Sequence, residues 1–157
     1  MTDIKRRTLL KGSLGASLAG IAATAGLLSP QLLMAAWPKS AFEAKKVDSA
    51  VSGLFGNASM SNSKAIKITA PPIAENGAEV GVTVSSTLSK VDSLTILVMK
   101  NNQPLAASFG LGAGTDPFVR TRIKIAKTSN VMAVVRSGGK LFTAKREVKV
   151  TIGGCGG

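Results

Sequence analysis

Val119-Arg120-Thr121-Arg122-Ile123-Lys124-Ile125 sets β-branched residues against cations with a period of two. That is the repeat of a strand with one face buried and the other in water. The same period recurs upstream. Ile66, Ile68 and Ala70 alternate with Lys67 and Thr69 until Pro71-Pro72 breaks the strand. After the turn Glu75-Asn76-Gly77, the residues Val80, Val82 and Val84 alternate with Gly81, Thr83 and Ser85. Residues 94–99 are apolar on both faces, the composition of a central strand covered twice. Asn101-Asn102-Gln103-Pro104 is a turn, residues 105–109 a short strand or edge piece, and Gly110-Leu111-Gly112-Ala113-Gly114 a flexible loop.

Downstream, residues 131–135 form another apolar run and Ser137-Gly138-Gly139-Lys140 carries a hairpin signal. The last strand, 141–152, places Val148, Val150 and Ile152 on one face and Glu147, Lys149 and Thr151 on the other. Arg146 interrupts this alternation, which predicts a bulge or an exposed edge. Seven short strands separated by turns predict a mainly β chain, an immunoglobulin-like antiparallel β-sandwich. The Cys…Trp…Cys core of antibody domains is missing, so the likeness is one of architecture.

One helix is expected, at the amino-terminal side of the sandwich. Ser40-Ala41-Phe42-Glu43 has capping-box spacing. Val47, Ala50, Val51 and Leu54 then recur at helical intervals, and Gly56-Asn57 is a stop signal. The prediction is a helix over about 41–55, packed through that stripe, followed by a polar loop over 57–63.

Residues 1–36 read as a cleaved export leader rather than as part of the fold. Lys5-Arg6-Arg7-Thr8-Leu9-Leu10-Lys11 precedes a small apolar run, and Met34-Ala35-Ala36 suits a signal peptidase acting after Ala35 or Ala36. The Arg6-Arg7 pair resembles a twin-arginine signal, with Lys5 and Leu9 departing from its usual pattern. The run is Ala- and Gly-rich and short of the roughly 20 strongly apolar residues that a span requires, so no stable membrane anchor is expected. The expected location is the periplasm. The organisation is then leader 1–36, domain 37–152 and a terminal arm 153–157.

The chain has 20 basic and eight acidic residues. Four of the basic residues and one acid lie in the leader, which leaves 16 against seven, a net +9. Such a charge steers the protein toward anions or acidic proteins. Nucleic acid is a poor partner, because aromatic residues for base stacking make up 4% of the chain. There is no histidine and no tyrosine. The usual general base, the Cys–His pairing and the commonest metal ligand are therefore missing, so no catalytic residue, metal or cofactor is assigned.

Gly110 to Gly114 lacks the lysine and following helix of a phosphate-binding loop and reads as a surface loop. Arg120, Arg122 and Lys124 form either a solvated face that blunts a sheet edge or a dock for acidic surfaces.

The single cysteine lies in Gly153-Gly154-Cys155-Gly156-Gly157. In an oxidising compartment a lone cysteine stays free, pairs between molecules or carries something. Glycines at 153, 154, 156 and 157 remove bulk and add backbone freedom. Fully extended, the five residues reach roughly 17 Å. The result is a thin rod with a thiol near its tip. An isolated thiol has a pKa near 8.5 and is a few per cent thiolate at neutral pH, so activation has to come from whatever receives it. Cys155 is the candidate site of covalent attachment.

This terminus resembles that of the SoxY family, the sulfur carriers of the Sox thiosulfate-oxidation system. The resemblance extends to the Arg6-Arg7 leader, to Ala70-Pro71-Pro72-Ile73-Ala74-Glu75-Asn76-Gly77, to the basic strands and to Val150 leading into the arm. It implies a non-enzymatic carrier that pairs with a SoxZ-type subunit as a heterodimer of two β-sandwiches. It also implies that a SoxAX-type haem enzyme couples thiosulfate to Cys155 and that a SoxB-type hydrolase releases sulfate. Where present, a SoxCD-type sulfane dehydrogenase would oxidise the sulfur that remains. A ubiquitin-like carrier using the Gly157 carboxylate, a thiol oxidoreductase and a plain interaction sandwich are the rival expectations.

Overall fold

The computed structural model describes residues 38–151, within the unit Pro38–Gly157. The expected leader, with Arg6 and Arg7, lies outside the described residues. Two helices come first, α1 (Lys39–Glu43) and α2 (Val47–Phe55). Nine strands follow: β1 (Met60–Asn62), β2 (Ile66–Thr69), β3 (Ile73–Ala74), β4 (Val80–Ser86), β5 (Val91–Val98), β6 (Leu105–Gly110), β7 (Phe118–Ile123), β8 (Ser129–Ser137) and β9 (Lys140–Val150).

One sheet runs β1-β9-β8-β5-β6, with β3 also pairing to β9, and the other runs β2-β4-β7. Ile66, Ile68, Val82 and Val84 of the smaller sheet meet Leu94, Ile96, Val131, Val135 and Val148 of the larger one in a buried core. Leu97, Met132, Val134 and Leu141 point the other way and are buried under Ala41, Ala50 and Val51 of the helices. The molecule is thus an immunoglobulin-like sandwich with a helical layer on the outer face of its larger sheet. β5 and β8 are buried on both faces; β5 follows the expectation at 94–99 up to Val98, while Met99 lies past the strand and is exposed.

Several expectations are corrected. The single helix over 41–55 is two helices, broken where Ala44 and Lys46 take extended ψ values of 139° and 146°. At about 100° per residue, one continuous helix would put Ala41 and Ala50 on opposite sides. Both are fully buried, which requires the break. The helices then cross so closely that a Cβ on Gly53 would lie 3.0 Å from the Ala41 Cβ. Ser40 is inside α1 instead of preceding it, and no side chain caps either helix, so the capping box does not form. Gly56 does end α2, its amide donating to the Ser52 carbonyl at 2.8 Å.

The sandwich is not wholly antiparallel and has more than seven strands. β1 lies in the segment expected to be a loop and β3 directly after Pro71-Pro72, and both pair parallel to β9. Gly110 ends β6 instead of opening a loop, and β9 ends at Val150, with Ile152 outside the described residues. Ser137 pairs with Lys140 across Gly138 and Gly139, whose φ values of 54° and 77° suit a two-residue type I′ hairpin.

Ile96 and Leu97 are both fully buried but serve different cores. Truncation of either to alanine is therefore expected to cost about 2–5 kcal/mol, read by chemical denaturation. A loss below about 1 kcal/mol for Leu97→Ala alone would show that the helical layer does not cover the sheet.

Candidate functional site

Cys155, Gly153, Gly154, Gly156 and Gly157 lie outside the described residues. What the structure describes is the chain up to Thr151, two residues short of Gly153. The construction of that root decides whether the terminal segment departs from a fixed point.

β9 pairs with β8 from Lys140 to Val148 in one unbroken register, with no bulge at Arg146. The exposed-edge alternative holds instead. On its other side β9 meets β1 only at Leu141–Thr143 and β3 only at Lys149 and Val150. Lys145, Arg146 and Glu147 occupy the gap, exposed. Charges on an open edge discourage pairing with another chain.

Past Val148, where β8 ends, the root is held from two directions. The Lys149 amide donates to the Pro72 carbonyl at 2.9 Å and the Thr151 amide to the Ala74 carbonyl at 3.2 Å. The Val150 amide donates to the Thr128 Oγ1 at 3.0 Å, and the Thr128 hydroxyl faces the Val150 carbonyl at 3.5 Å. Prolines at 71 and 72 have no amide hydrogen to donate, but the Pro72 carbonyl supplies an acceptor. The stretch 70–77 is therefore the outer brace of the root rather than only a strand break.

Gly77 completes the brace. Its carbonyl accepts the Ile125 amide at 2.7 Å. A Cβ there would run into the Ile125 carbonyl oxygen and lie 2.9 Å from the Val150 Cγ1. The backbone approach, not a left-handed φ, demands glycine. Asn76 turns the chain beside it, its Oδ1 accepting the Ala78 amide at 2.9 Å. Thr128 carried no sequence signal, because a threonine before an apolar run looks like any strand edge. Gly77 was visible only as a turn residue.

The row Arg120, Arg122, Lys124 is divided. Arg120 and Arg122 lie on the exposed side of β7, an edge strand, and Arg122 meets Glu79 at 3.6 Å. Lys124 lies beyond the end of β7 and lines a pocket with Lys100 and Lys127. Among the described residues no group of three or more His, Cys, Asp or Glu could hold a metal ion. No described helix is long and apolar enough to cross a membrane.

Gly77→Ala overpacks the brace and is expected to cost about 1–3 kcal/mol. Thr128→Val removes both hydroxyl contacts to Val150 and leaves its amide without that acceptor, at an expected cost of about 1–3 kcal/mol. In both variants amide exchange should accelerate at Val150 and Thr151 more than at Leu141. Uniform acceleration along β9 would show that the brace has no local role.

Residues 51–155 match the family model of the sulfur oxidation protein SoxY. Among solved structures, the sulfur carrier protein SoxY from Chlorobium limicola f. thiosulfatophilum is 45% identical, with a TM-score of 0.63, covering 68% of this chain and 97% of that one. A superoxide reductase (neelaredoxin) from Ignicoccus hospitalis superposes with a TM-score of 0.50 at 18% identity, over 55% of this chain and 80% of that one, a likeness of fold alone. Comparison with curated proteins gives no match. With the match extending past the braced root as far as residue 155, the chain belongs to the SoxY family of sulfur oxidation proteins.

Proposed function

We infer that this protein carries sulfur intermediates of thiosulfate oxidation covalently on Cys155 and presents them to partner enzymes. The observation that carries this reading is the reach of the family match to residue 155, four residues beyond a root held by β3 and Thr128. A fixed root with a glycine-rich continuation lets one thiol be delivered to more than one buried site, since glycine adds little bulk. The chain has no histidine to activate the thiol, so the chemistry belongs to the partners and the protein acts as their substrate.

Loading couples the Cys155 thiol to thiosulfate as Cys–S–S–SO3⁻, releasing one proton and two electrons to a SoxAX-type haem enzyme. Hydrolysis by a SoxB-type enzyme then adds water, releases sulfate and a proton, and leaves a persulfide on Cys155. A SoxCD-type dehydrogenase, where present, oxidises the remaining sulfane sulfur. A SoxZ-type subunit is the proposed heterodimer partner. Arg6 and Arg7 support export by the twin-arginine route, which carries folded proteins and places the carrier in the periplasm.

Intact mass spectrometry of the protein taken from the periplasm, with and without thiosulfate, tests the reading. Reductant-labile adducts of sulfur and thiosulfate are expected on the wild type and not on Cys155→Ser. A bare thiol at Cys155 while the partner enzymes are demonstrably turning over would overturn it.

A further inference from the structure

Lys100, Asn102, Gln103, Lys124 and Lys127 line a concavity of about 380 Å³ at one end of the sandwich. Its two walls are the β5–β6 turn and the segment after β7. Asn101 joins them, its Nδ2 donating to the Lys124 carbonyl at 2.8 Å and its Oδ1 accepting the Ala126 amide at 3.0 Å. Asn101 is thereby committed to structure, while the exposed side-chain amides of Asn102 and Gln103 are left as donors.

The charge here is unbalanced. No acidic residue occurs between Asp92 and Asp116 or between Asp116 and Glu147, so both walls come from acid-free stretches. Glu79, just before β4, is paired to Arg122 at 3.6 Å. Glu147, on β9, lies across from Asn130 on the neighbouring strand. Among the described residues none of the three lysines makes an ion pair. Three lysines lining one concavity concentrate positive charge there, and a bound anion offsets it.

The pocket also adjoins the root of the carrier segment. Lys127 precedes Thr128, which binds the Val150 backbone. From Thr151 the four further residues to Cys155 span roughly 13–14 Å when extended.

We propose that this pocket is a binding site for a tetrahedral sulfur oxoanion, held by Lys100, Lys124 and Lys127 with the amides of Asn102 and Gln103. The ligand class is sulfate, thiosulfate or an organic sulfonate of the same head group. That an oxoanion binds stands independently of the carrier reading, and that it is a sulfur oxoanion rests on that reading. Occupation by the sulfonate of an intermediate on Cys155 rests on it.

The test is a ¹⁵N-¹H titration of the full chain carrying Cys155→Ser, with sodium thiosulfate or sulfate against sodium chloride at matched ionic strength. Saturable shifts are expected at Lys100, Asn102, Gln103 and Lys127 with the sulfur oxoanions and not with chloride. Lys127→Gln should weaken binding roughly tenfold, as loss of one charge-assisted hydrogen bond implies. Arg120→Gln should leave it unchanged. A response to ionic strength alone, or one equal for Lys127→Gln and Arg120→Gln, overturns the site. Binding of a poly-aspartate peptide without binding of either oxoanion also overturns it, in favour of a protein dock.

A second arm separates the sources. Tetrathionate converts the wild-type Cys155 thiolate to Cys–S–S–SO3⁻ with release of thiosulfate. If the tethered sulfonate fills the pocket, the shifts appear at one equivalent and block free thiosulfate. If the adduct forms and the pocket still titrates, the site stands and its ligand comes from solution. If no adduct forms, the pocket has no tethered occupant and the first arm alone decides it, while the intact-mass experiment decides the carrier reading.

Discussion

Every backbone amide and carbonyl removed from water must find a partner, and the last strand of this protein meets that demand in three ways along its length. β8 pairs with it from Lys140 to Val148. Two short parallel strands then cover the ends of its other edge, β1 at Leu141–Thr143 and β3 at Lys149 and Val150. Where β8 runs out, the Thr128 hydroxyl takes over the Val150 amide. The polypeptide is therefore tied down to the point where the glycine-rich terminus follows. On the proposed function, delivery of Cys155 to a partner's site starts from this fixed origin.

The rigidity behind that origin comes from two cores sharing the central strands of one sheet. Val131, Ala133 and Val135 of β8 pack toward the smaller sheet while Met132 and Val134 pack toward the helices. A strand so placed has no wet face and little freedom to shift its register, since a slip by one residue would exchange the contents of the two cores. β9 hangs on this strand by a continuous ladder, so the stiffness of β8 is passed on to the root.

Charge is distributed with the same economy. The cations on β7 and in the gap along β9 are exposed at sheet edges, where they oppose strand pairing with other chains. Lys100, Lys124 and Lys127 line one concavity beside the β5–β6 turn, next to the segment that holds the root. A composition of +12 overall thus resolves into edge protection in some places and a local excess of positive potential in another.

The amino-acid sequence by itself determined the β class, the doubly covered part of β5 at 94–98, the Gly138-Gly139 hairpin and the apolar stripe of α2. All four are set by local periodicity or by the backbone preferences of neighbouring residues. It also marked Cys155 and its glycines as the chemically distinctive part of the chain. Only the tertiary structure decided the break between α1 and α2, because two buried alanines on opposite sides of one helix cannot reach a single sheet. The same holds for β1 and β3, too short to show any period and formed only because β9 offers them an edge. The roles of Gly77 and Thr128 and the concavity shared by Lys100 and Lys127 are likewise products of the fold. Each depends on residues more than 20 positions apart being brought together, and no local pattern records such a meeting.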